Sequence, residues 1–540
     1  MNAQRRVLTT AAMMVGLLIA SLDQTIVDTA FPRMISELGG VSMFTWVITA
    51  YLLASTAIVP VVGKLADIYG RKLFWIIGIT IFVAGSVLCG QARTMPELIL
   101  FRGVQGIGGG MIMPIAQTII GDIYEGEARA RMQGVFAGVF AVGAAIGPLL
   151  GGWIVDHYHW RYIFLLNLPT GIVALGLAMI GLQNVIDAKG HKIDWTGSFL
   201  SIAGVTTLLL TLQLGGVQWP WGAWQSFALF AASLIFLGLF AWVELRGQDP
   251  VLDLRLFKNP TFATFCTVAF LLGAGMFGAI VFIPWFIQGV VGVSATATGT
   301  VMMPMTLMMM VGSIAGGQIA RRVQYRWQVG GGLLSVVAGF LAATRFSVLT
   351  SLWQARIAIM LIGLGLGLVM PLITLGVQQA FGREQRGVVT SATAFFRSVG
   401  ATVGVTLFGV IFNNQMARQY TLLMAPQLQR LPPPMAARLA GLGAHPSDLV
   451  QVLLQPTLQA MIPPGMRGPL LQTIRQMMTN ALHPVFWTGI AVVGAGALIG
   501  QLLGAESLPA QLKRQSQGPK RVTPVIAEQE PDADRAPIDN

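Results

Sequence analysis

The stretch GKLADIYGRK, Gly63–Lys72, holds three basic residues and one acid in ten positions between two long apolar runs. Charges are costly in hydrocarbon, so these residues cannot lie in a bilayer core. Gly63 and Gly70 bracket Asp67, and glycine is a strong turn signal. The stretch therefore reads as a hairpin at a membrane surface, joining two helices that cross and return.

The rest of the chain agrees. A helix needs about 20 apolar residues to span a bilayer, and about fourteen such runs follow one another, from one centred near Gly16 to one near Val493. The chain is 54% hydrophobic and 10% charged, against roughly a quarter charged for a soluble domain. The short alternating segments of a β-barrel are absent. The expected fold class is an all-α polytopic membrane protein.

A net charge of +12 does not point to nucleic acid, because the basic residues are distributed by side. With the N-terminus inside, alternate loops place Lys64, Arg71, Lys72, Arg129, Arg131, Arg321, Arg322 and Arg386 together, while the short opposite loops hold chiefly Arg33, Arg93 and Arg161. Positive residues accumulate on the cytoplasmic side, so both termini are expected to be cytoplasmic. Arg5 and Arg6 precede a run too long for a signal-peptide core, which reads as the first helix. Cys89 and Cys266 fall in separate apolar runs and imply packing, not a disulfide framework.

Several motifs resemble those of the major facilitator superfamily. GKLADIYGRK is similar to its signature loop, G-x-L-a-D-r-x-G-r-k. LDQTIVDTAFP, Leu22–Pro32, resembles the first-helix motif of the fourteen-span drug:proton antiporter branch. LILFRGVQGIGGG, Leu98–Gly110, resembles the fourth-helix motif, and AIGPLLGG, Ala145–Gly152, the fifth-helix motif of antiporters. WRYIFLLNLPTG, Trp160–Gly171, and FFRSVGATVGV, Phe395–Val405, extend the likeness over most of the chain. The resemblance implies a major facilitator fold of two six-helix bundles plus two linker helices, fourteen transmembrane helices in all, with the substrate site between the bundles near the midplane. The expected division is 1–185 for the first bundle, 186–258 for the two-helix linker and 259–412 for five helices of the second bundle. A long extracytoplasmic loop then takes 413–480, the last helix 481–506 and a disordered cytoplasmic tail 507–540. Within the loop, Leu449–Met461 reads either as an amphipathic surface helix or as loose chain. A faint repeat supports two halves: Gly317-Gln-Ile-Ala-Arg-Arg follows the second helix of the second half, with Arg321 where the first copy has Asp67.

Intramembrane charge marks candidate sites, because ionisable groups there are costly and usually functional. Asp23 lies roughly 12 Å below a helix end near Phe31, and Arg102 roughly 9 Å below one near Pro96. The two can therefore meet, either to couple protons or as a permanent packing pair. Asp28 stands where the family usually has asparagine, and reads either as a titrating group or as a helix-end cap. Arg397 lies near mid-bilayer and is expected to act as a fixed positive charge. The resemblance makes Gly63, Asp67, Gly70, Arg71 and Lys72 an inner-side latch, and Gly147, Pro148, Gly151 and Gly152 a swivel of the fifth helix. Trp46, Tyr51, Phe277, Trp285, Gln288, Met302 and Met305 are candidates for the cavity wall; for each methionine, ordinary packing is the competing reading.

No phosphate loop, metal-ligand cluster or nucleophile triad is found, so the chain does not read as an enzyme and no cofactor is expected; a proton gradient would drive it. The resemblance implies efflux of lipophilic small-molecule drugs in exchange for protons, across the plasma membrane of a bacterium and among its lipids. Two acids in the first helix favour cationic cargo. Two readings compete: an exporter or flippase of an endogenous lipid or metabolite, and a membrane sensor without turnover. A periplasmic adaptor protein is a partner the sequence leaves open.

Overall fold

The computed structural model describes residues 3–38, 44–183, 194–215, 219–247, 250, 252–293, 295–382, 385–428, 449, 453 and 464–503. Its helices are α1 Ala3–Leu38, α2 Phe44–Tyr69, α3 Arg71–Gln91, α4 Met95–Ile123, α5 Gly126–His157, α6 Tyr162–Leu165 and α7 Asn167–Gly181 in the first half. The linker pair is α8 Trp195–Leu214 and α9 Trp224–Arg246. The second half has α10 Pro260–Trp285, α11 Ala295–Ile319, α12 Tyr325–Ala343, α13 Leu352–Ala380, α14 Arg386–Gln419, α15 Ala425–Leu428 and α16 Pro464–Gly500. Thirteen spans among the described residues are long and apolar enough to cross a membrane. The polar start of α12, Tyr-Arg-Trp-Gln, keeps it out of that set, but its 19 residues pack between α13 and α16. The protein is a multi-pass membrane protein.

Local chemistry sets the helix ends. Gly70 separates α2 from α3 at φ 97°, a left-handed conformation that side chains with a Cβ rarely adopt. Thr94 accepts the Glu97 N–H at the start of α4, and Ser351 and Gln354 form a reciprocal capping box at the start of α13. Asn259 accepts the N–H groups of Thr261 and Phe262 ahead of α10. Each satisfies donors that a helix N-terminus leaves without partners.

The two halves repeat one packing scheme. In the first, α4 lies against α2 and α3, and α1 against α5 and α7; in the second, α13 lies against α11 and α12, and α10 against α14 and α16. The halves meet along two seams, α5 on α11 and α2 on α14. The linker helix α8 packs on α2 and α14 beside the second seam, where Val205 and Leu209 bury against Ala57. The other linker helix, α9, turns Phe227, Leu234, Ile235 and Trp242 outward, as a lipid-facing helix does.

The segment 413–480, expected as a long loop, is helical at both of its ends among the described residues. The chain continues from α14 through a π-helical turn, Tyr420–Met424, into α15, and α16 begins at Pro464. Leu470, Ile474, Met477 and Met478 are buried. Their spacing of three and four gives the start of α16 one apolar face, which is buried. Apart from Leu449 and Leu453, the segment 449–461 lies outside the described residues, as does the tail 507–540.

Candidate functional site

Three polar centres follow one another from one end of the molecule to the other. The first is a buried cluster in the first half. Asp23, fully buried on α1, accepts hydrogen bonds from Arg102 Nη1, Gln105 Nε2 and Asn167 Nδ2, each at 2.8 Å. Arg102 and Gln105 are one turn apart on α4, and Arg102 also donates to the Gln105 Oε1 at 2.8 Å. Asn167 opens α7 just after the α6 turn and also donates to Ser86 Oγ, whose hydroxyl is given to the Phe164 carbonyl. The Tyr51 ring lies 4.3 Å from the Arg102 guanidinium carbon, a cation–π contact that covers the charge. The charged pair is thus desolvated, but both partners have their hydrogen bonds, the condition under which a buried pair persists.

The second centre is a narrow cavity between the halves. Leu17 of α1, Met113 and Gln117 of α4 and Gln133 and Phe136 of α5 form one side. Met309 of α11, Met370 and Thr374 of α13 and Arg397 of α14 form the other. Its floor is an amide clasp across the halves. Gln378 Nε2 donates to the Gln117 carbonyl and to Thr390 Oγ1, both at 3.1 Å, and Gln133 Nε2 donates to Gln378 Oε1 at 3.3 Å.

The third centre lies below the floor, at the end of the bundle that carries the Gly63–Lys72 hairpin. Asp67, at the end of α2, takes Arg71 at 2.8 Å and the Val388 backbone N–H at 3.1 Å. Val388 is in the first turn of α14, so the carboxylate caps a helix of the opposite half. Arg71 also pairs with Asp122, as does Arg386 of α14, which further donates to the Gly121 carbonyl. On the other seam, Arg321 beyond α11 pairs with Glu127 in the first turn of α5. The repeat therefore acts twice: the end of the second helix in each half reaches the start of the fifth in the other. Arg321 replaces Asp67 in the copy because its partner is a carboxylate, not a helix N-terminus.

The structure brings Asp23 and Arg102 together, and Gly63, Asp67 and Arg71 to the contact between α2 and α14; Gly63 faces Ser391 and Gly387 of α14. Lys72 is elsewhere: its ammonium donates to the carbonyls of Met179 and Leu182 at the end of α7. Gly147 lies against Thr25 of α1, and Gly151 is buried further along α5 beside Gly152. The side chains of Asp28 and Pro148 lie outside the described residues. Of the expected wall, Tyr51 belongs to the Asp23 cluster, and Trp285 packs edge-to-face with Phe282 and Phe412 at the far end of α10. Met305 is buried in the second-half core, while Trp46, Phe277, Gln288 and Met302 are half-buried away from the cavity wall. Sequence reasoning missed Gln105, Asn167, Gln117, Gln133 and Gln378. Side-chain amides inside apolar runs were the available signal.

The family model described as Major Facilitator Superfamily matches residues 13–405. The chain is 42% identical over 498 residues to the multidrug transporter protein MdtP of Bacillus subtilis strain 168, covering 92% of each chain. It is 36% identical over 406 residues to multidrug resistance protein 3 of the same organism, covering 74% of this chain and 78% of that one. Among solved structures, the proton:xylose symporter XylE aligns over 94% of this chain and 99% of that one, with a TM-score of 0.59 at 12% identity, a likeness of fold.

Proposed function

Because the chain belongs to the major facilitator superfamily, and its relatives include multidrug transporters, we propose that it exports amphipathic drugs across a bacterial plasma membrane in exchange for protons. The observation that carries the proton part is Asp23, a carboxylate fully buried in a membrane helix and held by Arg102, Gln105 and Asn167. Such a group is stable as an anion only while its donors stay in place. A proton arriving on Asp23 removes the charge that aligns Arg102, and the helices carrying the cluster are then free to repack.

Two helices connect this event to the cavity. α1 carries Leu17 in the wall and Asp23 about 9 Å further along; α4 carries Met113 in the wall and Arg102 about 16 Å away. Repacking of α1 and α4 at the cluster displaces the wall as well. Protonation and cargo binding then favour opposite-facing states, and exchange follows from that competition.

The end bearing the latch is read as cytoplasmic, since Lys64, Arg71, Arg129, Arg321 and Arg386 gather there. With its amide floor and charged latch in place, the arrangement is closed on this side. Opening inward requires Asp67, Asp122 and Glu127 to release their partners across the seams.

The test is proton flux in vesicles of reconstituted protein. Adding a cargo drug against an imposed pH gradient should release protons in the wild type, and Asp23→Asn should abolish the flux while leaving folding intact. Flux that persists in Asp23→Asn would remove Asp23 from the coupling role.

A further inference from the structure

The charge inventory of the central cavity is one-sided. Among the described residues, its wall holds one cation, Arg397, and no acidic residue. Arg397 stands eleven residues into α14, about 16 Å from the start of that helix and so near mid-bilayer. Among the described residues, no carboxylate lies within 4.0 Å of its guanidinium nitrogens. Its polar contact is the Met113 thioether, 3.3 Å from Nη2, a weak acceptor.

The arginines of the other two centres are occupied. Arg102 is held by Asp23 and Gln105, Arg386 by Asp122 and the Gly121 carbonyl, and Arg71 by Asp67 and Asp122. The acid that would recommend a cationic cargo, Asp23, is sealed away with three side-chain donors. A guanidinium at membrane depth is costly without a counter-charge, and its fork of donors matches carboxylate and sulfonate geometry. Around it, Phe136, Phe140, Met309 and Met370 offer rings and thioethers to an apolar body.

We propose that this cavity binds amphipathic organic anions, with Arg397 receiving the anionic head and the Phe136, Phe140 and Met309 surfaces receiving an aromatic or alicyclic body. The inference rests on the export reading for the direction of movement, but not for binding. The anion completes a pairing that the protein itself leaves open. A carboxylate or sulfonate fits this description; a quaternary ammonium would meet like charge.

The test uses two probes with one ring body and opposite charge, pyrenebutyrate and pyrenebutyltrimethylammonium, titrated into full-length protein in nanodiscs of zwitterionic lipid, with empty nanodiscs subtracted. The anion should bind about tenfold tighter or more. Arg397→Gln should remove that preference, and Arg397→Lys should keep most of it. Met113→Glu should also remove it, by supplying an internal partner to a guanidinium left in place; this variant carries the test if Arg397→Gln does not fold. Equal or tighter binding of the ammonium probe, or an unchanged anion affinity in a folded Arg397→Gln, would overturn the proposal. The export reading fails separately: an anion that binds as described, yet moves no protons in vesicles, leaves the site assignment standing and removes the antiport.

Discussion

The Asp67 carboxylate accepts the backbone N–H of Val388 across the seam between the two halves, at 3.1 Å. Gly387 makes the contact reachable, since a Cβ there would occupy the space taken by the Asp67 carboxylate. Gly387→Ala should therefore push α2 from α14 and favour the inward-open state. Asp67→Asn should do the same more mildly, because the amide oxygen still accepts but the charge on Arg71 and on the α14 terminus is lost. A population shift of about tenfold, or about 1.4 kcal/mol, is expected. Spin-label distances between the ends of α2 and α14 would measure it; an unchanged distance distribution in Gly387→Ala would remove the latch role.

Asn167 is predicted to stabilise the buried cluster. Its amide gives one proton to Asp23 and another to Ser86. Asn167→Ala leaves two buried acceptors short of a donor, which costs about 1–3 kcal/mol per group. Asn167→Asp should be worse, placing like charge beside a sealed carboxylate. Thermal melts in detergent would rank the wild type above Asn167→Ala, and Asn167→Ala above Asn167→Asp.

The difference between Asp23–Arg102 and Asn167 shows what the sequence made legible. Counting 1.5 Å per residue placed Asp23 and Arg102 at similar depth, and they meet, although α1 runs on to Leu38 past the end expected near Phe31. Asn167 follows the short α6 turn, where no such count applies. The cavity wall was harder still. Lipid and protein core are equally apolar, so hydropathy does not tell which face of a span looks inward. Tyr51, read as wall, lies on the Arg102 guanidinium, while Met113 and Phe136 take the wall positions. The helix succession, by contrast, was readable from run length and loop charge, apart from the extended ends of α14 and α16.

The amide floor should behave as a gate separate from the charged latch. Gln378→Leu removes one side chain from every bond in the clasp and inserts nothing that can pair with Gln133. Each lost hydrogen bond is worth about 1 kcal/mol, so the inward-open population should rise several-fold. Labelling of a cysteine introduced at Thr374 from the cytoplasmic face would report it. Labelling at the wild-type rate would show that the latch alone seals the floor.

At the opposite end, Glu37 joins α1 to the α5–α6 turn, accepting from Trp160 Nε1 at 3.0 Å and pairing with His159 and Arg161. Burial pushes the carboxyl up, but the Trp160 hydrogen bond and the His159 and Arg161 charges outweigh it and hold it below the usual range. A depressed carboxyl stabilises above its ordinary value, and the contribution is lost as pH falls through the lowered one. Glu37→Gln should thus cost a little at neutral pH, under about 1 kcal/mol for so exposed a pair, and progressively less as pH falls from neutral through the lowered value. Melting of both proteins across that range would check the convergence.

An anionic cargo also sets the electrical character of transport. One monoanion leaving against one proton entering moves two positive charges inward, whereas a monovalent cation exchanged one for one moves none. Each charge is worth about 2.3 kcal/mol per 100 mV, so an inside-negative potential would contribute about 4.6 kcal/mol per cycle at that voltage. Currents on a solid-supported membrane should appear with pyrenebutyrate and vanish in Arg397→Gln.

The linker helix α8 gives the transporter a handedness toward its lipid surroundings. It lies along α2 and α14, and the Thr406 hydroxyl of α14 donates to the Leu212 carbonyl at 3.2 Å. Of the two seams between the halves, one is therefore lined by a helix from the linker itself. Among the described residues, the α5–α11 seam carries no comparable packing from α8 or α9, so the two seams present different faces to the lipid.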